Sequence, residues 1–146
     1  MQVLFDSNIL LRWQEPHHPD QILVAAAVDR LLISGAVPCC ISQNLGELWN
    51  VLTRPAGRNG YGLTPAQADR RTRSIESRVQ LLPCTPEVHF EWRRLLVAHN
   101  ISGVQVHDTR IAAAMHVHRV KRILTFNTRD YARFDDIEAI DPTDRT

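Results

Sequence analysis

The stretch VLFDSNIL, residues 3–10, places three apolar residues directly before an aspartate. A short run of apolar side chains is typical of a strand that is buried on both faces, as strands of parallel sheets are. Ligands of open parallel sheets bind beyond the carboxyl ends of the strands. The sequence therefore predicts a central strand at Val3–Phe5, with Asp6 placed where a ligand would bind.

Predicted strands and helices alternate along the rest of the chain. Further apolar runs predict strands at residues 37–41, 79–82, 123–125 and 137–140. Helical spacing or capping signals predict helices over residues 22–34, from Ser42 through Leu52, from Thr64 to about Arg78, after Thr85 and from Asp108. Ser42 is the predicted cap of its helix. This order predicts an α/β fold, with a mostly parallel central sheet flanked by helices in a single domain over residues 1–146.

The composition is that of an ordinary globular protein, with 44% hydrophobic and 23% charged residues among 146. No apolar run approaches the roughly 18 residues that span a bilayer, so we expect no membrane segment. The N-terminus lacks a basic region and reaches Asp6 early, which is unlike a signal peptide. Three cysteines, two of them the adjacent Cys39 and Cys40, do not form a disulfide framework. Reduced thiols and a cytoplasmic location are the expectation.

Acidic residues fall at the predicted carboxyl edge of the sheet. Asp6 follows the first strand, Glu47 lies among leucines in the second helix, Asp108 opens a helix and Asp130 follows the fourth strand. Carboxylates that converge repel one another unless their pKa values rise or a cation neutralises them, and Mg²⁺ or Mn²⁺ suits such oxygen ligands. An ion of this kind can activate water for phosphodiester hydrolysis. Local roles as a turn former, helix cap or loop acid stay open for each aspartate, whereas Glu47 needs a partner.

Arginine supplies 16 of the 17 basic residues, and six arginines lie between Arg54 and Arg78. The planar guanidinium can hold two phosphate oxygens, which favours a nucleic-acid partner and makes Arg54 and Arg58 candidate RNA contacts. A solvated helix face, or a genome rich in arginine codons, explains the same bias. No phosphate-binding loop or dinucleotide motif occurs, which disfavours nucleotide-dependent enzymes.

Four ordered segments together resemble the PIN domain, and specifically the VapC-type toxin ribonucleases. They are VLFDSNIL at residues 3–10, SQNLGELWNVL at 42–52, VHDTRIAAA at 106–114 and ILTFNTRDY at 123–131. The resemblance covers nearly the whole chain. It implies a parallel sheet flanked by helices and an acidic pocket that binds Mg²⁺ or Mn²⁺.

The resemblance also implies roles for individual residues. Asp6, Glu47 and Asp108 match the three acids that hold the metal ion. Asn127 and Asp130 both fall in the last motif, and either would complete the catalytic site. Asn127 occupies a position where other members often have aspartate, so a neutral ligand there would weaken or alter metal binding. Thr125 would hydrogen-bond a metal ligand or an RNA phosphate.

The implied activity is metal-dependent endonucleolytic cleavage of single-stranded or structured RNA, as the toxin of a VapBC-type pair. The implied partners are a VapB-type antitoxin that occludes the pocket and a second copy of the chain in a homodimer. A PIN-like RNA-binding module without catalysis is the main alternative. A phosphotransfer receiver domain is disfavoured, because Asp6 has no acidic neighbour and no aspartate follows the strand predicted at residues 79–82.

Overall fold

The structure is a computed structural model that describes residues 1–144, so the end of the predicted domain, residues 145–146, lies outside the described residues. Its strands are β1 (Gln2–Phe5), β2 (Val37–Ile41), β3 (Gln80–Leu82), β4 (Arg122–Leu124) and β5 (Glu138–Ile140). Its α-helices are α1 (Ser7–Trp13), α2 (Gln21–Ile33), α3 (Ser42–Thr53), α4 (Pro65–Glu76), α5 (Pro86–Ala98) and α6 (Gln105–His118). Short 3₁₀ helices occur at Ala56–Arg58 and Thr128–Tyr131.

The five strands form one parallel sheet in the order β3-β2-β1-β4-β5. Leu4, in the middle of β1, is in register with Cys39 of β2 and with Ile123 of β4. The chain steps outward from β1 to β3 and then returns to add β4 on the other side of β1. The carboxyl ends of β1 and β4 therefore form the switch point at which ligands of such sheets bind.

Side chains of β1 alternate between two hydrophobic cores. Val3 and Phe5 pack with residues of α1 to α4, whereas Leu4 packs with residues of α5 and α6. All three side chains are fully buried, as the apolar run predicts for a strand covered on both faces. The predicted α/β class, a parallel sheet flanked by helices, is confirmed.

Two further observations concern the state of the β2 cysteines and the apolar length of the helices. Cys39 and Cys40 are unbonded and buried in β2, and burial raises the pKa of their thiols to about 12 and about 11. Both thiols are therefore protonated at neutral pH. Within residues 1–144, no helix has both the length and the apolar composition that crossing a bilayer requires.

Three local predictions differ from the structure. The sequence pattern did not predict α1, which begins because a carboxylate oxygen of Asp6 accepts a hydrogen bond from the Ser7 N–H. Ser42 does not cap α3, because Ile41 occupies the cap position and donates its N–H to the buried amide oxygen of Asn44 at 2.9 Å. The last difference is at α6, where Asp108 lies within the first turn rather than at the cap.

Candidate active site

Asp6 is held rigidly at the switch point. It directly follows β1 and is 5% exposed. Its Oδ1 accepts the Ser7 N–H at 2.8 Å, and its Oδ2 accepts the Thr125 hydroxyl at 2.7 Å. Thr125 is fully buried just after β4, so Asp6 is bonded to the ends of both strands. The Thr125 hydroxyl proton thus goes to a candidate metal ligand, and a contact of Thr125 with RNA stays a prediction.

Glu47 is held through both of its carboxylate oxygens. The Ser7 hydroxyl donates to Oε2 at 2.8 Å, and the Gln43 amide nitrogen donates to Oε1 at 3.0 Å. Ser7 thus contacts two acids, since its N–H bonds to Asp6. The partners that a glutamate among leucines requires are therefore a hydroxyl and an amide, neither of which neutralises its charge.

Asp108 carries the clearest electrostatic signature. Burial raises the pKa of its carboxyl to about 6, and the negative charges of Asp130, Asp6 and Glu47 add to that effect, as does a hydrogen bond with Asp130. The pKa of Asp6 is also raised, first by burial and then by Glu47 and Asp130, against the lowering effect of its hydrogen bonds. The four residues thus lie close enough to repel one another, and we call them the acid cluster.

Asn127 and Asp130, between which the sequence did not decide, occupy different positions. Asp130 is half-buried in the 3₁₀ helix, and its charge acts on Asp6 and Asp108. Asn127 is exposed, and its backbone N–H donates to Thr125 Oγ1 at 3.0 Å while its carbonyl accepts the Asp130 N–H at 3.1 Å. The structure therefore brings Asp130 to the other acids, and Asn127 supports the site through its backbone. A catalytic role for either stays a prediction.

The candidate RNA contacts Arg54 and Arg58 follow the C-terminal end of α3. Seven residues separate Arg54 from Glu47, which is about 10 Å along a helix axis. The Arg54 guanidinium donates to the Asn59 carbonyl at 3.0 Å, and Arg58 is exposed in a 3₁₀ helix. Neither arginine contacts the acid cluster, so RNA binding by them stays a prediction.

Ser7, Gln43 and Tyr131 are residues of the site that the sequence reasoning missed. Tyr131 is 1% exposed, and its hydroxyl has no hydrogen-bond partner within residues 1–144. Burial, followed by the charges of the acid cluster, raises its pKa well above the ordinary value. The four-residue spacing from Gln43 to Glu47 was a usable signal, since such residues share a helix face. Nothing in the sequence indicates the hydroxyl of Tyr131.

The donor set fits a hard divalent cation. Carboxylates that repel one another are the ligands that Mg²⁺ and Mn²⁺ prefer, and Mg²⁺ usually takes one or two of them directly while it keeps several waters. In residues 1–144 no three His, Cys, Asp or Glu side chains are already arranged to hold an ion together. The cluster therefore suits an ion that is bound partly through water.

Comparison with known sequences supplies a family for this fold and site. The sequence model of the PIN domain family matches residues 3–137. The chain belongs to the PIN domain family. Proteins of this family are nucleases, so membership supports the hydrolase class for this chain. PIN-domain nucleases generally use divalent metals. No curated protein sequence matches significantly.

Solved structures of PIN-domain proteins share the fold at low identity. VapBC2 of Rickettsia felis, bound to a promoter DNA fragment, matches with a TM-score of 0.70 and 16% identity over 97% of this chain and 98% of that one. VapBC-1 of nontypeable Haemophilus influenzae matches with a TM-score of 0.69 and 19% identity over 99% and 100%. Mycobacterium tuberculosis VapC20, described as a Sarcin-Ricin loop cleaving toxin, matches with a TM-score of 0.62 and 19% identity over 90% and 95%.

Burial of Asp108, together with the repulsion within the acid cluster, predicts that Asp108→Asn stabilises the metal-free chain. A carboxyl whose pKa rises from 3.8 to about 6 on folding binds more protons in the folded state, so stability falls as pH rises through that window. Asp108→Asn removes this loss. We expect a gain of about 1 kcal/mol at pH 7, discounted for solvent screening, in urea unfolding with EDTA.

The gain should shrink as the pH falls through 6 and vanish well below 3.8, where Asp108 is protonated in both the folded and the unfolded state. Asp29→Asn, at an exposed position of α2, is the matched control and should change stability by less than about 0.5 kcal/mol at either pH. A destabilised Asp108→Asn variant at pH 7 would contradict the raised pKa of Asp108.

Proposed function

We propose that this chain is a metal-dependent endoribonuclease that hydrolyses phosphodiester bonds of single-stranded or structured RNA. The observation that carries the proposal is that four carboxylates converge at the switch point of a PIN domain, where their charges add to burial in raising the pKa of Asp108. Carboxylates that repel one another in the absence of a cation commonly form a cation-binding site.

In the proposed mechanism, Asp6 and Asp108 would hold Mg²⁺ or Mn²⁺, and Asp130 would complete the site. When bound, the ion supplies a Lewis acid that stabilises negative charge on the phosphate undergoing attack. Glu47, oriented through both oxygens, would bind the same ion through water and so position the attacking water. The bonds from Ser7 and Thr125 keep Asp6 in place, so that the carboxylate need not reorganise during the reaction.

RNA is the proposed substrate for two reasons. A protein with the same fold, VapC20, is described as cleaving the Sarcin-Ricin loop, and exposed arginines occur on α4 at positions 70, 71 and 73. Guanidinium groups on an exposed helix face suit the phosphates of a polynucleotide.

The alternatives have less support. A receiver domain places its third strand inside the sheet, in the order 2-1-3-4-5, whereas β3 lies at the edge of this sheet. The non-catalytic RNA-binding module drew its support from Asn127 as a neutral replacement for an acid. That support weakens because Asp130 supplies a carboxylate whose charge acts on Asp6 and Asp108.

A VapB-type antitoxin and a homodimer are the proposed protein partners. The solved structures with this fold include VapBC pairs from two bacteria. Ile22 and Ile33 of α2 are 78% and 87% exposed, so α2 offers apolar side chains that such a partner could cover. The antitoxin would inhibit by covering the acid cluster.

Cleavage of a single-stranded RNA by the purified chain tests the proposed activity. We expect cleavage with Mn²⁺ or Mg²⁺ and none with EDTA. Asp6→Asn and Asp108→Asn should each lower the rate at least about a hundredfold, because an ion supplies several kcal/mol of transition-state stabilisation. Asp29→Asn is the matched control and should cleave like the wild type. RNA binding without metal-dependent cleavage would favour the non-catalytic module instead.

Expression in a bacterial host tests the toxin assignment. We expect the wild-type chain to arrest growth and Asp6→Asn to permit it at equal protein levels. Co-expression of a small gene adjacent to the one for this chain should restore growth, and its product should copurify. Normal growth with an active, well-expressed wild-type chain would contradict the toxin assignment without affecting the nuclease assignment.

A further inference from the structure

Gln43 joins two layers of the molecule above the carboxyl edge of the sheet. Its side-chain nitrogen lies 3.0 Å from Glu47 Oε1 and 2.8 Å from the carbonyl oxygen of His107. An amide nitrogen carries two N–H donors, one for each acceptor. Because both partners are acceptors, the amide must present its nitrogen to them, and this fixes its orientation.

The two acceptors belong to opposite sides of the sheet. Glu47 lies on α3, which packs in the core formed with α1, α2 and α4. His107 lies on α6, which packs with α5 in the other core, and its carbonyl immediately precedes Asp108. Gln43 therefore ties one carboxylate of the acid cluster to the backbone beside another.

These two hydrogen bonds of the Gln43 amide oppose the repulsion within the acid cluster. Glu47 and Asp108 are acidic groups on separate helices; the Ser7 hydroxyl holds one oxygen of Glu47, and Gln43 holds the other and also bonds to the helix that carries Asp108. The Gln43 oxygen is buried with no hydrogen-bond partner in residues 1–144, so the contacts of the nitrogen alone hold the amide in place.

We propose that Gln43 is a positioning residue, which holds Glu47 at a fixed spacing from Asp108 so that both can serve one divalent cation. The inference deepens the proposed function and rests on its metal site. Groups that orient metal-binding carboxylates through hydrogen bonds commonly contribute about tenfold or more to metal affinity. Gln43 acts through Glu47, so its contribution to metal affinity must vanish when the Glu47 charge is absent.

Binding of Mn²⁺ alone, measured by calorimetry without RNA, tests this role. Gln43→Met keeps the length of the side chain and removes its amide, and we expect about tenfold weaker Mn²⁺ binding by a chain that stays folded by circular dichroism. In a Glu47→Gln background the same change should have no further effect. Gln43→Ala carries the same expectation should the methionine variant fold poorly.

Gln67→Met is the matched control. Gln67 also lies in the first turn of a helix, but its side chain accepts a hydrogen bond from Thr64 of its own helix cap. We expect wild-type Mn²⁺ affinity for this variant. The proposal is overturned if Gln43→Met binds Mn²⁺ like the wild type, or if it weakens binding equally in the Glu47→Gln background.

The same measurement separates this inference from the proposed function. A wild-type chain that does not bind Mn²⁺ would overturn both the metal site and the role of Gln43. Mn²⁺ binding that depends on Gln43, in a chain that leaves RNA intact, would overturn the RNA substrate and support the positioning role.

Discussion

Mutual repulsion among carboxylates at the end of β1 is the constraint on which the site depends. Asp6 cannot move away from it, because β1 is buried in the middle of the sheet and Thr125 and Ser7 hold both carboxylate oxygens. Asp108 reaches the same place from the opposite side of the sheet. Burial raises the pKa of Asp108, and the charges of the other three acids raise it further. Within the chain, neutral hydrogen-bond donors from Ser7, Gln43 and Thr125 orient Asp6 and Glu47 without cancelling their charge.

The convergence of acids lowers the stability of the metal-free protein and provides a site for a cation. Groups that disfavour the folded state when ionised reduce the free energy of unfolding of the metal-free protein, and a cation that binds only the folded state restores it. The Tyr131 hydroxyl, which has no hydrogen-bond partner among residues 1–144, adds to the cost, since a buried donor without an acceptor costs about 1–3 kcal/mol. Such costs gather at functional sites, whereas the two cores on either side of the sheet are apolar and well covered.

The sequence predicted the parts of the site that follow from local pattern. A buried apolar run places Asp6 at a strand end, and a glutamate among leucines requires polar partners. Helix α1 was missed because its seven residues are too few for a clear periodic signal. The choice between Asn127 and Asp130 depends on the turn geometry of a 3₁₀ helix. The contact from Gln43 to His107 joins residues 64 apart, so it depends on how the layers pack, and a single sequence does not encode that visibly.

The most direct test is a site-resolved carboxyl ¹³C NMR titration of Asp108, with and without Mg²⁺. The account predicts a pKa near 6 in the metal-free chain, and a pKa below the ordinary value of 3.8 once Mg²⁺ saturates the site. A metal-free Asp108 that titrates at 3.8 or lower would contradict the convergence of the acids. A raised pKa that Mg²⁺ leaves unchanged would contradict the claim that this convergence serves a cation.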